Sequence, residues 1–245
     1  MREHGQTNRK RGNTAMKRMI VTAVSILLAL TVAMPGAFGK VGQSEAASRA
    51  SGELVTAWWQ WALSKPVESN PLFGGDPDYT PAQCDGTPLA DTVDDTWFLA
   101  GTLDGSEVER TCTVPDDTTL FFPLFNVAVV PFPEETEEDV LAQANAFIDS
   151  VLNDPEFSMS VTVDGKAVPK GKILRADAPL FSGESPLLGG SYQAVADGVW
   201  VKLPPLSEGE HTISWEVSAP NVDTDPGTPG VEGFFQNNTY HLTVD

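Results

Sequence analysis

A two-residue hydrophobic alternation returns again and again along this chain, and it narrows the possible folds more than any other feature. Val108, Arg110, Cys112 and Val114 fall on one face of a segment, and Glu107, Glu109, Thr111 and Thr113 on the other. Met159, Val161 and Val163 alternate with Ser158, Ser160 and Thr162. The pattern recurs in Val199, Val201 and Leu203, in His211, Ile213, Trp215 and Val217, and in Tyr240, Leu242 and Val244. A period of two is the signature of a strand buried on one side. Asp104-Gly105, Pro115-Asp-Asp117, Asp164-Gly165 and Pro204 to Gly209 punctuate these segments as turns. Leu120 to Val130 is a long apolar run, as expected of a strand covered on both faces and bent or edged at Pro123. The fold class these segments predict is mainly β, an antiparallel β-sandwich (jelly-roll-like). Long loops are expected over 176–197 and 219–233.

Two stretches break the β pattern. In 51–64, Leu54, Val55, Trp58, Trp61 and Ala62 share a helical face with Trp59 at its edge. Three tryptophans can form a sugar-stacking platform, but such a stripe more often seats a helix on a sheet. In 136–152, Val140, Leu141, Ala144, Phe147, Ile148, Val151 and Leu152 keep helical spacing behind a Thr136 N-cap and three acidic residues. The expectation is one β-sandwich domain over 48–245 with two flanking α-helices.

The N-terminus has a different character. Arg2, Arg9, Lys10, Arg11, Lys17 and Arg18 precede an apolar run from Met19 to Met34, with small-x-small cleavage sites at Ala37-Phe38-Gly39 and Ser44-Glu45-Ala46. That is the layout of a signal peptide over 1–39, with cleavage extending as far as 46 on the second site. The run is shorter than the ~20 residues of a spanning helix. A secreted or periplasmic protein with no stable membrane anchor after cleavage is therefore expected.

In an oxidising compartment the two cysteines, Cys84 and Cys112, read as one disulfide bond. Loss of residues 1–39 removes six of 15 basic and one of 34 acidic residues and moves the formal charge from −19 to −24. An acidic protein of this kind is not built to bind nucleic acid or anionic lipid.

Several motifs resemble a family of secreted bacterial proteins of unknown function. They are Trp58-Trp-Gln-Trp-Ala62, Trp97-Phe-Leu-Ala-Gly101, Arg110-Thr-Cys-Thr-Val-Pro115, Leu120-Phe-Phe-Pro123, Gly209-Glu-His-Thr-Ile213 and Thr239-Tyr-His-Leu-Thr-Val244. The likeness spans most of 51–245. It implies export and the fold, and it carries no catalytic residues.

Candidate sites follow from chemistry. Arg110 is the only basic residue between Lys65 and Lys166, among 21 acidic ones, and its parity places it on the covered face. It reads as a salt bridge or carbonyl clamp, or as the fork that takes an anionic ligand group. Tyr192 and Trp200 are the candidate aromatic ligand contacts. Asp76, Asp78 and Asp85 are weak candidates for a Ca²⁺ site in a loop without EF-hand spacing; no other cofactor is expected. His211 shares parity with the core and His241 faces outward. No nucleophile motif is present: Gly183-Glu-Ser-Pro-Leu187 lacks the final glycine of G-x-S-x-G. These observations favour an acidic, non-catalytic exported protein that binds a glycan or another cell-surface component. The alternatives are a polysaccharide-directed hydrolase using a carboxylate pair and a structural envelope or matrix protein. The sequence leaves the oligomeric state open.

Overall fold

A computed structural model describes residues 45–73, 84–89, 93, 95–103, 105–222 and 233–245. The leader over 1–39, Asp76, Asp78, Asp104 and most of the 219–233 loop lie outside the described residues. Helix α1 (Glu45–Ser64) is followed by β1 (Thr96–Phe98), β2 (Val108–Val114) and β3 (Thr119–Val129). Helix α2 (Glu137–Leu152) then precedes β4 (Ser158–Val163), β5 (Lys166–Ala167), β6 (Ile173–Ser185), β7 (Gly190–Leu203), β8 (Gly209–Ala219) and β9 (Phe234–Val244). The strands form a four-stranded sheet, β1-β3-β7-β6, and a five-stranded sheet, β2-β9-β8-β4-β5. Pairing is antiparallel except at two edges, where β1 runs parallel to β3 and β2 parallel to β9.

The four-stranded sheet is covered on both faces. One face meets α1, where Trp58 and Trp61 pack with Phe98, Phe121 and Trp200 over Ala176, Ala178, Ala194 and Ala196. Phe121 stacks on Trp200 at 5.0 Å, and Trp58 meets Trp200 edge-on at 5.4 Å. The Trp58 indole donates to the Leu99 carbonyl and that of Trp61 to the Asp85 carbonyl, each at 2.9 Å. The tryptophan stripe therefore seats a helix. On the other face Leu120, Phe122, Val199 and Val201 meet Ile213, Trp215, Tyr240 and Leu242 of the second sheet. Helix α2 lies on this same face through Val140 and Ala144 against Val129 and Val195. Its Thr136–Asp139 capping box satisfies the first-turn amides. Arg175 bonds the buried Asp197 of β7, Asp149 and the Asn145 carbonyl, which ties α2 to the sheet.

The loop expected over 176–197 is instead the β6–β7 hairpin. Small side chains beneath α1, Pro179 at a register shift and Gly189-Gly190 at the turn give that segment the composition of a loop. Helix α1 is also longer than the 51–64 expected, beginning at Glu45.

The disulfide Cys84–Cys112 is present and closes 28 residues of chain, pinning the loop before β1 to β2. Such a bond belongs to an oxidising, non-cytoplasmic environment. Among the described residues no helix is long and apolar enough to cross a membrane.

Candidate functional site

Among the described residues the layering leaves a broad surface uncovered on the outer face of the five-stranded sheet. Period-two geometry directs Glu109, Thr111 and Thr113 outward from β2, with Glu107 just before it, and Phe235, Asn237, Thr239, His241 and Thr243 outward from β9. From β8 come Glu210, Thr212, Ser214, Glu216 and Ser218, and from β4 Ser158, Ser160 and Thr162. Register aligns them into rows: Ser160 opposite Glu216 and Glu216 opposite Asn237. Asn237 Nδ2 donates to Glu107 Oε1 at 2.9 Å and completes that row. In the next rows His241 Nε2 meets Glu109 Oε1 at 2.9 Å, and the Thr243 hydroxyl donates to Glu210 at 2.9 Å.

At one end of this face a groove of about 380 Å³ crosses β2, β9, β8 and β4. Glu107, Ser160, Glu216 and Asn237 line it, together with Phe235, which is 51% exposed, and Met159, which has the opposite parity, borders it at the end of β4. Gly105 closes the end of the groove. Its φ is +72°, and a Cβ there would stand 2.4 Å from the Phe235 carbonyl oxygen, so only glycine lets the loop approach β9. An exposed aromatic ring beside hydroxyl, amide and carboxylate groups can stack on one face of a ligand and hydrogen-bond its edges.

The residues singled out by sequence lie elsewhere. Arg110 is 2% exposed. It donates from Nη1 to the Ala100 carbonyl and from Nη2 to the Pro71 carbonyl, each at 2.8 Å, and also to the Tyr240 hydroxyl. This is the carbonyl clamp of the two readings. Trp200 is fully buried and donates to the Ala176 carbonyl at 3.1 Å. Tyr192 is buried too; burial pushes its hydroxyl up to about 12. Neither ring forms an exposed aromatic row, because both lie on the face that α1 covers. Asp85 accepts from Lys65 at 2.8 Å and from the Thr87 amide at 3.1 Å. Among the described residues no group of three or more His, Cys, Asp or Glu is placed to hold a metal.

One arrangement has the connectivity of a catalytic triad. His211 Nδ1 lies 2.8 Å from Asp164 Oδ2, and Nε2 lies 3.2 Å from Ser207 Oγ. The closer partner of Nε2, however, is the Ser207 backbone carbonyl at 2.9 Å, an acceptor that demands a proton on that nitrogen. Asp164 in turn raises the His211 pKa above the usual histidine value. With a carboxylate facing Nδ1 and a carbonyl as the closer partner of Nε2, Nε2 is engaged as a donor and has no lone pair for a serine proton. His211 thus ties the β7–β8 connection to the β4–β5 turn, as a corner tyrosine does in other sandwiches.

Glu107 and Ser160 were visible in the sequence only as the polar half of an alternation, and Phe235 and Asn237 lie before the alternation read at 239–244. No family model matches the chain, and no curated protein matches it in sequence. Among solved structures it is similar to a cysteine protease inhibitor of Entamoeba histolytica, at 12% identity over 60% of this chain and 94% of that one, with a TM-score of 0.20. A likeness that slight carries no argument about fold or function.

Proposed function

We propose that this is an exported, acidic, non-catalytic β-sandwich protein that binds a glycan of a cell surface or matrix on the outer face of its five-stranded sheet. The observation that carries the reading is the groove in which Phe235 stands exposed beside the Ser160–Glu216–Asn237–Glu107 row. Sugars present apolar C–H faces and hydroxyl edges, and this surface offers a partner for each. A flat sheet holds these groups without the ordering cost of a loop. The disulfide and the acidic surface suit a secreted or periplasmic setting.

The test is isothermal titration of the disulfide-intact protein with neutral, amino and acidic oligosaccharides, repeated with Phe235→Ala. Binding that weakens about tenfold on loss of the ring, as for a central aromatic anchor, supports the reading. Binding indifferent to Phe235 puts the site elsewhere, and no binding across the panel contradicts the reading.

A hydrolase is the second reading. It is favoured by Glu107 and Glu216 flanking Asn237, two strands and about 10 Å apart by strand spacing. It requires release of reducing ends from a polymer, abolished in Glu216→Gln.

A further inference from the structure

We infer that the glycan taken by this face is a cationic one, a polymer of amino sugars with free amines; this inference rests on the reading that the face binds a glycan at all. The outward positions of β2, β4, β8 and β9, together with Glu107 just before β2, hold four carboxylates, Glu107, Glu109, Glu210 and Glu216, and no lysine or arginine. The single basic group there, His241, is engaged by Glu109. Lys166, on β5 at the sheet edge, pairs with Val163 and so shares the parity of the opposite face.

Two of the four carboxylates line the groove itself. Glu107 is oriented by Asn237, and Glu216 lies across the same row. An anionic polymer such as a polyuronate is repelled from such a field, and a neutral one gains nothing from it. A protonated amine meets a charged acceptor on either side of Asn237 while its ring rests on Phe235. The selectivity is a matter of charge complementarity between ligand and groove, not of the overall acidity of the chain. The experiment separates the two.

Titrations compare a β-1,4-linked glucosamine hexamer with its fully N-acetylated counterpart, which has the same backbone without the charge. The protein, Glu107→Gln/Glu216→Gln, and a charge-matched control at the start of α2, Glu134→Gln/Glu138→Gln, are each measured. Two exposed ion pairs at a few-fold each predict about a tenfold advantage for the amine form. That advantage should vanish in Glu107→Gln/Glu216→Gln, persist in Glu134→Gln/Glu138→Gln, and shrink as salt is raised. If the acetylated hexamer binds as well as the amine, the inference fails and the glycan reading stands. If the advantage survives Glu107→Gln/Glu216→Gln, or falls equally in the control, the preference belongs to the whole molecule and the inference fails. If neither hexamer binds, and no other sugar does, both fall.

Discussion

Arg110 stands over the ring of Tyr240, its guanidinium carbon 5.4 Å from the ring centroid, and donates to that residue's hydroxyl. The Tyr240 hydroxyl in turn donates to the Ala100 carbonyl at 2.8 Å, the same oxygen that Arg110 engages. The pair therefore closes a network that joins the edge strand β2, its parallel partner β9 and the chain segments at Pro71 and Ala100. Arg110→Ala takes the charged donor from the buried Pro71 carbonyl and leaves the Ala100 carbonyl to Tyr240 alone, and should cost about 3–5 kcal/mol in denaturant unfolding. Arg110→Lys keeps the charge without the planar fork and should recover only part of it. A cost below about 1 kcal/mol for the alanine variant would mean that the network is incidental.

The disulfide is the second tie between the early loops and β2. Loop-closure entropy for 28 residues predicts that Cys84→Ser/Cys112→Ser loses about 3–4 kcal/mol. Equilibrium urea unfolding of the double variant, or of the reduced protein, measures it directly.

How much of this was legible in the sequence differs from one element to the next. The alternation from Val108 to Val114 revealed β2 and the inward direction of Arg110, because strand parity is a local property. The identity of Arg110's acceptors was not legible, since two of them are backbone carbonyls that leave no side-chain trace. The β6–β7 hairpin escaped for a related reason. Ala176, Ala178, Ala194 and Ala196 are inward-facing strand residues kept small by the tryptophans above them, and small residues carry little periodic signal. The groove draws Glu107 and Asn237 from strands more than a hundred residues apart, joined by a parallel pairing at a sheet edge that no local pattern encodes.

The alanine floor under α1 makes a prediction of its own. Ala196→Leu thrusts a larger side chain into the Trp58–Trp200 packing and should cost about 1–3 kcal/mol. Ser160→Ala on the open face should stay within about 0.5 kcal/mol. Equal effects would contradict the layering.

The His211–Asp164 tie sets a pH window. His211 titrates above its usual value because of Asp164, so its contribution is complete below the free-histidine value of 6.5 and is lost as pH rises through its folded value. Asp164 titrates below its usual value, held first by the Thr212 amide and then by His211. Its contribution is present above 3.8 and is lost as pH falls through its folded value. The stability gap between the protein and His211→Gln should therefore be widest between these two values and close on either side. Ser207, facing an Nε2 already engaged by its own backbone carbonyl, should resist labelling by fluorophosphonates; rapid labelling would reinstate the triad.

Where a sugar touches the protein is tested most directly by backbone amide mapping by NMR during titration with the glucosamine and N-acetylglucosamine hexamers. The predicted result is a set of shifts centred on Glu107, Ser160, Glu216, Phe235 and Asn237, with the Trp58 and Trp200 indole signals unmoved. Shifts centred on α1 or α2, or none with either hexamer, would contradict it.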